Sequence, residues 1–107
     1  MKKQSEFRLI VTGNFNDINE AKHALQDPFI EDFVEETGKF SFNNFEDIRV
    51  TNRISLSDLE IAELEEGVYE ITCPNAQVLL NQPKAEKLAE TLQRQAMFDE
   101  VRVEPLN

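Results

Sequence analysis

Four carboxylates fall within residues 31–36: Glu31, Asp32, Glu35 and Glu36. A second set, Glu60, Glu63, Glu65 and Glu66, occupies residues 60–66. Carboxylates at this density can pass protons, hold a hard cation, or present negative charge to a basic partner. Proton transfer needs a carboxyl sheltered in an apolar pocket, whereas Glu35-Glu36 and Glu65-Glu66 read as exposed doublets. A calcium or magnesium loop of the D-x-D-x-D-G kind is not in the chain. Charge presentation is the use that both sets fit best. The plain alternative is a solvated face that keeps a small domain dispersed.

Other chemistries have fewer residues to work with. The chain has one cysteine and one histidine, which rules out an internal disulfide, a thiolate-rich zinc site and any multi-histidine site. Cys73, at the end of an apolar run before Pro74, reads as a small buried hydrophobe. His23 falls on the polar side of a helix, so a Cys–His nucleophilic pair would need a coincidence of folding. Gly13 in Ile10-Val11-Thr12-Gly13-Asn14 stands alone, without the G-x-G-x-x-G pattern or a Walker lysine, and reads as a turn glycine. No cofactor and no metal are expected.

The formal net charge of the 107 residues is −10. Residues 16–66 hold fourteen acids against four bases, and both flanks are near balance. A chain of this charge repels phosphates and anionic headgroups, so direct nucleic-acid or membrane binding is not expected. Basic-aromatic signatures are missing too, since the expected strands carry only Arg8, Arg49 and Arg102. Arg49 and Arg102 hold equivalent places in two similar segments, where a pair of strand arginines could grip an anion. Seven of the eight phenylalanines lie in residues 7–45. Phe29 and Phe33 read as core, and the run Phe40, Phe42, Phe45 offers apolar anchors within a charged rim.

The elements that must position these residues follow from periodicity. Phe7–Val11 and Val68–Cys73 read as strands. Asp17 with Glu20 has the spacing of a capping box and opens a helix on Ile18, Ala21 and Leu25. That helix should stop near Gln26 and restart at Asp27-Pro28, as two helices or one kinked at Pro28, and end at Gly38. Apolar parity at Phe40, Phe42, Ile48, Val50, Ile54 and Leu56 predicts one or two strands within 39–57. Ser57 with Glu60 favours a short helix before Gly67, while Leu59 and Ile61 also fit a strand period. Pro83 opens a helix with Ala85, Leu88, Leu92 and Ala96 on one face, and Val101-Arg102-Val103 closes the sheet.

Phe45-Glu46-Asp47-Ile48-Arg49-Val50 matches Phe98-Asp99-Glu100-Val101-Arg102-Val103 in kind, residue for residue. The chain therefore reads as strand-helix-strand twice, an α+β two-layer sandwich of ferredoxin-like βαββαβ form with an extra short helix between the halves. Residues 1–107 make a single domain, with halves at about 7–56 and 67–104 and an acidic connection at 57–66. With no signal segment and no apolar span of membrane length, a cytoplasmic setting is expected.

The function expected is a non-enzymatic protein-binding module, an inhibitor, adaptor or regulator. Glu31, Asp32, Glu35, Glu36, Glu60, Glu63, Glu65 and Glu66 would engage a basic partner protein. The partner could be a nucleic-acid-binding protein, with the carboxylates mimicking backbone phosphates; homodimer formation is compatible with this. The alternatives are a small-molecule-sensing domain that dimerises through its sheet and an enzyme with an acidic pocket.

Overall fold

Alternation of apolar and polar residues builds the sheet. In the computed structural model, which describes residues 7–51, 54–74 and 80–105, β1 is Phe7–Gly13, β2 Glu60–Glu65, β3 Val68–Thr72 and β4 Phe98–Pro105. All neighbours are antiparallel, in the order β2-β3-β1-β4. Directly paired residues in such a sheet share a face. One row, Ile61, Ile71, Leu9 and Val103, therefore turns toward the helices, as does Tyr69, Val11 and Val101 beside it. The opposite row, Ala62, Glu70, Ile10 and Arg102, turns away from them.

Two helices cover the apolar face, α1 (Ile18–Thr37) over β2 and α2 (Gln82–Gln93) over β4 and β1. Asp17 caps α1 by accepting a hydrogen bond from the Glu20 amide at 3.0 Å. Gly38 ends it with φ 88° and donates to the Val34 carbonyl at 2.7 Å, the left-handed cap that a Cβ would strain. Asn81 caps α2, accepting from the Lys84 amide at 3.2 Å. Ala85, Leu88 and Leu92 are buried as expected. Ala96 lies past the end of α2 and is exposed.

Four expectations need correction. First, of the two alternatives for this region, separate helices are not found: α1 does not stop at Gln26 but continues as one helix with Pro28, itself buried, inside it. Proline forfeits one helical hydrogen bond at a cost of about 3 kcal/mol. Burying Leu25 and Phe29 on either side recovers about 1.5–3 kcal/mol each, so continuing the stripe outweighs the break. Second, the described residues of 39–58 form no strand of the sheet. Among them are two 3₁₀ turns, Phe42–Asp47 and Leu56–Asp58, and a bridge between Arg49 and Ser55.

The apolar parity there is nevertheless real: Ile48, Val50, Ile54 and Leu56 are all buried. The chain reverses between Val50 and Ile54, whose backbones bond at 2.9 Å, too soon for a ladder to grow. Third, Glu60–Glu65 is a strand, not a helix. The cap forms two residues earlier than expected, where Ser55 Oγ donates to Asp58 at 3.0 Å, and pairing with β3 then holds the chain extended. Fourth, the likeness of 45–50 to 98–103 is not structural, because the former contains the end of a 3₁₀ turn and the latter is β4. What stands is an α+β fold of two helices packed on a four-stranded antiparallel sheet, not the clean ferredoxin-like βαββαβ topology expected. Among the described residues, no helix is long and apolar enough to cross a membrane.

Candidate partner-binding groove

Glu31, Asp32, Glu35 and Glu36 are all exposed on the last two turns of α1. Phe29, on the same helix, is buried, and Phe33 packs half-buried on the core, which fixes the roll of the helix and turns the carboxylates outward. Asp32, Glu35 and Glu36 form one wall of a groove of about 660 Å³. Phe29 and Val50 supply its apolar lining, with Thr51 beside them. Lys87, Thr91 and Arg94 of α2 line it from the other helix, and Arg49, next to Val50, lines it as well. Lys87, Thr91 and Arg94 are spaced i, i+4, i+7, so they share a face of α2, and Leu88 and Leu92 anchor its buried side.

The groove thus carries three carboxylates and three cations. Among the described residues no ion pair joins them. The open face of the sheet is different. There Arg8 pairs with Glu70 at 2.6 Å and Glu104 at 3.3 Å, and Arg102 pairs with Glu100 at 3.2 Å and Glu104 at 3.4 Å. The Glu70 hydrogen bond is the largest cause pushing the Arg8 pKa above its ordinary value. Ile10, in the middle of this face, is only 3% exposed, with Glu70 and Arg102 directly opposite it on the two neighbouring strands. Arg102 is therefore committed to its own strand neighbours and Arg49 to the groove, so the two do not form an anion grip together.

The second acidic set lies elsewhere. Glu60, Glu63, Glu65 and Glu66 are exposed on β2 and its turn into β3. Glu60 borders a separate hollow of about 420 Å³, lined by Leu25, Phe45, Leu56, Leu59 and Ile61 with Lys22 at its rim. Glu63 and Glu66 act on Tyr69 together with Asp17 and Glu20, at the start of α1. Glu20 and Glu35 are about 22 Å apart along the helix axis at 1.5 Å per residue. The eight carboxylates therefore make two patches at opposite ends of α1, and Glu31 stands outside the groove lining.

The phenylalanine run is not a set of projecting anchors: Phe40 and Phe45 pack half-buried on the core, with ring centroids 6.4 Å apart. The side chain of Phe42 lies outside the described residues. Cys73 is fully buried and His23 is exposed on α1. Among the described residues, no group of three or more His, Cys, Asp or Glu side chains converges to hold a metal ion. Lys87 and Arg94 were not singled out in the sequence, although their spacing with Thr91 marks one polar face of α2.

Tyr69 gives a direct check on this geometry. Burial first, then the charges of Glu63, Asp17, Glu20 and Glu66, push its pKa above the ordinary 10.0. It is the single tyrosine of the chain, so phenolate absorbance reports on it alone. The folded protein should titrate later than the unfolded chain. Because the native state holds the phenol proton more tightly, stability should fall as the pH rises from 10.0 through the folded value. A folded protein titrating as free tyrosine would contradict the burial of Tyr69.

No protein-family model, curated protein or solved structure matches this chain.

Proposed function

We propose that the chain is a non-enzymatic protein-binding module, acting as an inhibitor, adaptor or regulator, and that the carboxylates at the end of α1 engage a basic surface of a partner protein. One observation carries this reading. Glu35 and Glu36 occupy the last turn of α1, where no basic residue accompanies them. The end of a helix carries partial negative charge, so each carboxylate there is unfavourable by about 0.3–1 kcal/mol. Charge placed against local stability, exposed, and without an ion pair among the described residues is better explained by an external contact than by folding.

Supporting the protein partner over nucleic-acid mimicry are the cations of the groove. A phosphate mimic presents unbroken negative charge, whereas Arg49, Lys87 and Arg94 interrupt it here. The finer architecture, a ferredoxin-like frame interrupted at 38–59, is supported by the element order and by the strand order β2-β3-β1-β4. The small-molecule reading draws on the hollow beside Lys22 and Glu60, whose apolar lining suits a compact ligand. Dimerisation through the β4 edge is less favoured. Gln93 Nε2 already donates to the Val101 carbonyl at 3.0 Å, and Pro105 has no N–H to offer.

Reversing Glu31, Asp32, Glu35 and Glu36 to lysine tests the reading. Capture of the partner from host extract should weaken about tenfold or more, and wild-type capture should fall with added salt. Stability should stay equal or rise by up to about 1 kcal/mol, since the helix end then carries the favourable sign. Undiminished capture by the folded variant would eliminate this face. If DNA or RNA competed for the same partner, mimicry would be reinstated; simultaneous binding would exclude it.

A further inference from the structure

We propose that the groove between α1 and α2 is the contact face of a two-fold symmetric homodimer, in which Asp32, Glu35 and Glu36 of each copy meet Arg49, Lys87 and Arg94 of the other. A second copy of a chain with net charge −10 is repelled by most approaches. This face differs because its lining sums to zero, three charges of each sign. The signs are also segregated by element, acids on α1 and bases on α2 and at Arg49.

That segregation determines the symmetry. A two-fold interface brings the same patch of both copies together, so it must be complementary to itself. With the axis running along the groove, between its walls, each acidic wall faces a basic wall. With the axis across the groove, like would face like. Only the first arrangement is attractive, and it stacks α1 of one copy on α2 of the other.

The contrast with the open sheet face supports this use. That face also carries both signs, but Arg8 and Arg102 are paired there within their own chain at 2.6–3.4 Å. In the groove the opposite charges stand on separate elements without closing on each other.

The proposal shares its acidic wall with the reading of partner binding and makes a second copy one occupant of it. The test uses the protein alone. Sedimentation equilibrium on the wild type should show a monomer–dimer equilibrium, with association falling about tenfold as salt screens the exposed pairs. Two variants then separate the walls. D32K/E35K/E36K gives an all-basic groove and R49E/K87E/R94E an all-acidic one, and each alone should be monomeric. Mixed in equal amounts at low salt, they should associate with each other, which no loss of folding can produce.

A wild type that stays monomeric at millimolar concentration and low salt would overturn the proposal. So would a dimer indifferent to both variants, or variants that fold, by circular dichroism, and fail to associate when mixed. Neutral R49Q/K87Q/R94Q provides a second reading should the charge-reversed wall unfold, and it too should abolish the dimer. A monomeric wild type that still loses its partner when the acidic wall is reversed would leave the partner reading standing alone. A dimer with partner capture unchanged by that reversal would support the dimer and remove the partner reading.

Discussion

Replacing Gly13 with alanine should destabilise the fold by about 1–3 kcal/mol, the usual range for forcing an extra methyl into a packed site. A Cβ at this position would run into the Phe15 ring and stand 2.7 Å from the Met97 carbonyl oxygen. Neither obstacle can yield easily. Phe15 is wedged edge-on between Tyr69 and Phe98, at 5.8 and 5.5 Å between centroids. Met97 immediately precedes β4, at the point where its register with β1 shifts between Thr12 and Gly13. The Gly13 amide also donates to the Gly67 carbonyl at 3.0 Å, so moving the strand end to make room would pull on the β2–β3 turn. Chemical denaturation measures the effect, and a midpoint unchanged from wild type would show that the close approach is not there.

Ile54→Ala should cost more, about 2–5 kcal/mol, the range for emptying a fully buried aliphatic site. Ile54 is 0% exposed and belongs to the same core as Leu9, Leu25 and Leu88. It sits in a stretch with almost no regular structure, and that makes the substitution informative. Its amide is held by Thr51 Oγ1 at 3.1 Å and its carbonyl by the Val50 amide at 2.9 Å. The backbone is thereby pinned, and the surroundings can do little to fill the hole. A loss below about 0.5 kcal/mol, the level of ordinary surface substitutions, would mean that residues 48–56 lie on the core without being part of it.

These two sites also show what sequence reveals and what it leaves hidden. Apolar parity at Ile48, Val50, Ile54 and Leu56 correctly marked buried positions. It could not say that the chain between them turns back after one bridge, because parity is the same for a strand and for a short reversal. Phe7–Gly13, Val68–Thr72 and Gln82–Gln93 were legible because alternation, caps and turn residues all agree there. Glu60–Glu65 was not, since Glu, Leu and Ala favour a helix locally. Pairing with Val68–Thr72 decided the matter from outside the segment. Exposure of Glu31, Asp32, Glu35 and Glu36 could be read from their polarity and from Phe29 and Phe33, which read as core on the same helix. That Lys87 and Arg94 face them across a groove could not, because only the packing of α1 beside α2 creates that neighbourhood.

The place of β1 in the sheet bears on how the molecule assembles. Among the described residues β1 comes first of the four strands, yet its partners are β3 and β4, with Phe7 opposite Pro105 and Leu9 opposite Ile71. During synthesis it emerges well before those partners, and its pairing with them waits until most of the following elements have appeared. Closing such long loops before any contact rewards them slows folding, and the exposed strand is open to wrong pairings while it waits. A growing chain would therefore hold β1 without its two neighbours in the sheet until β4 is released, so the sheet can close only late.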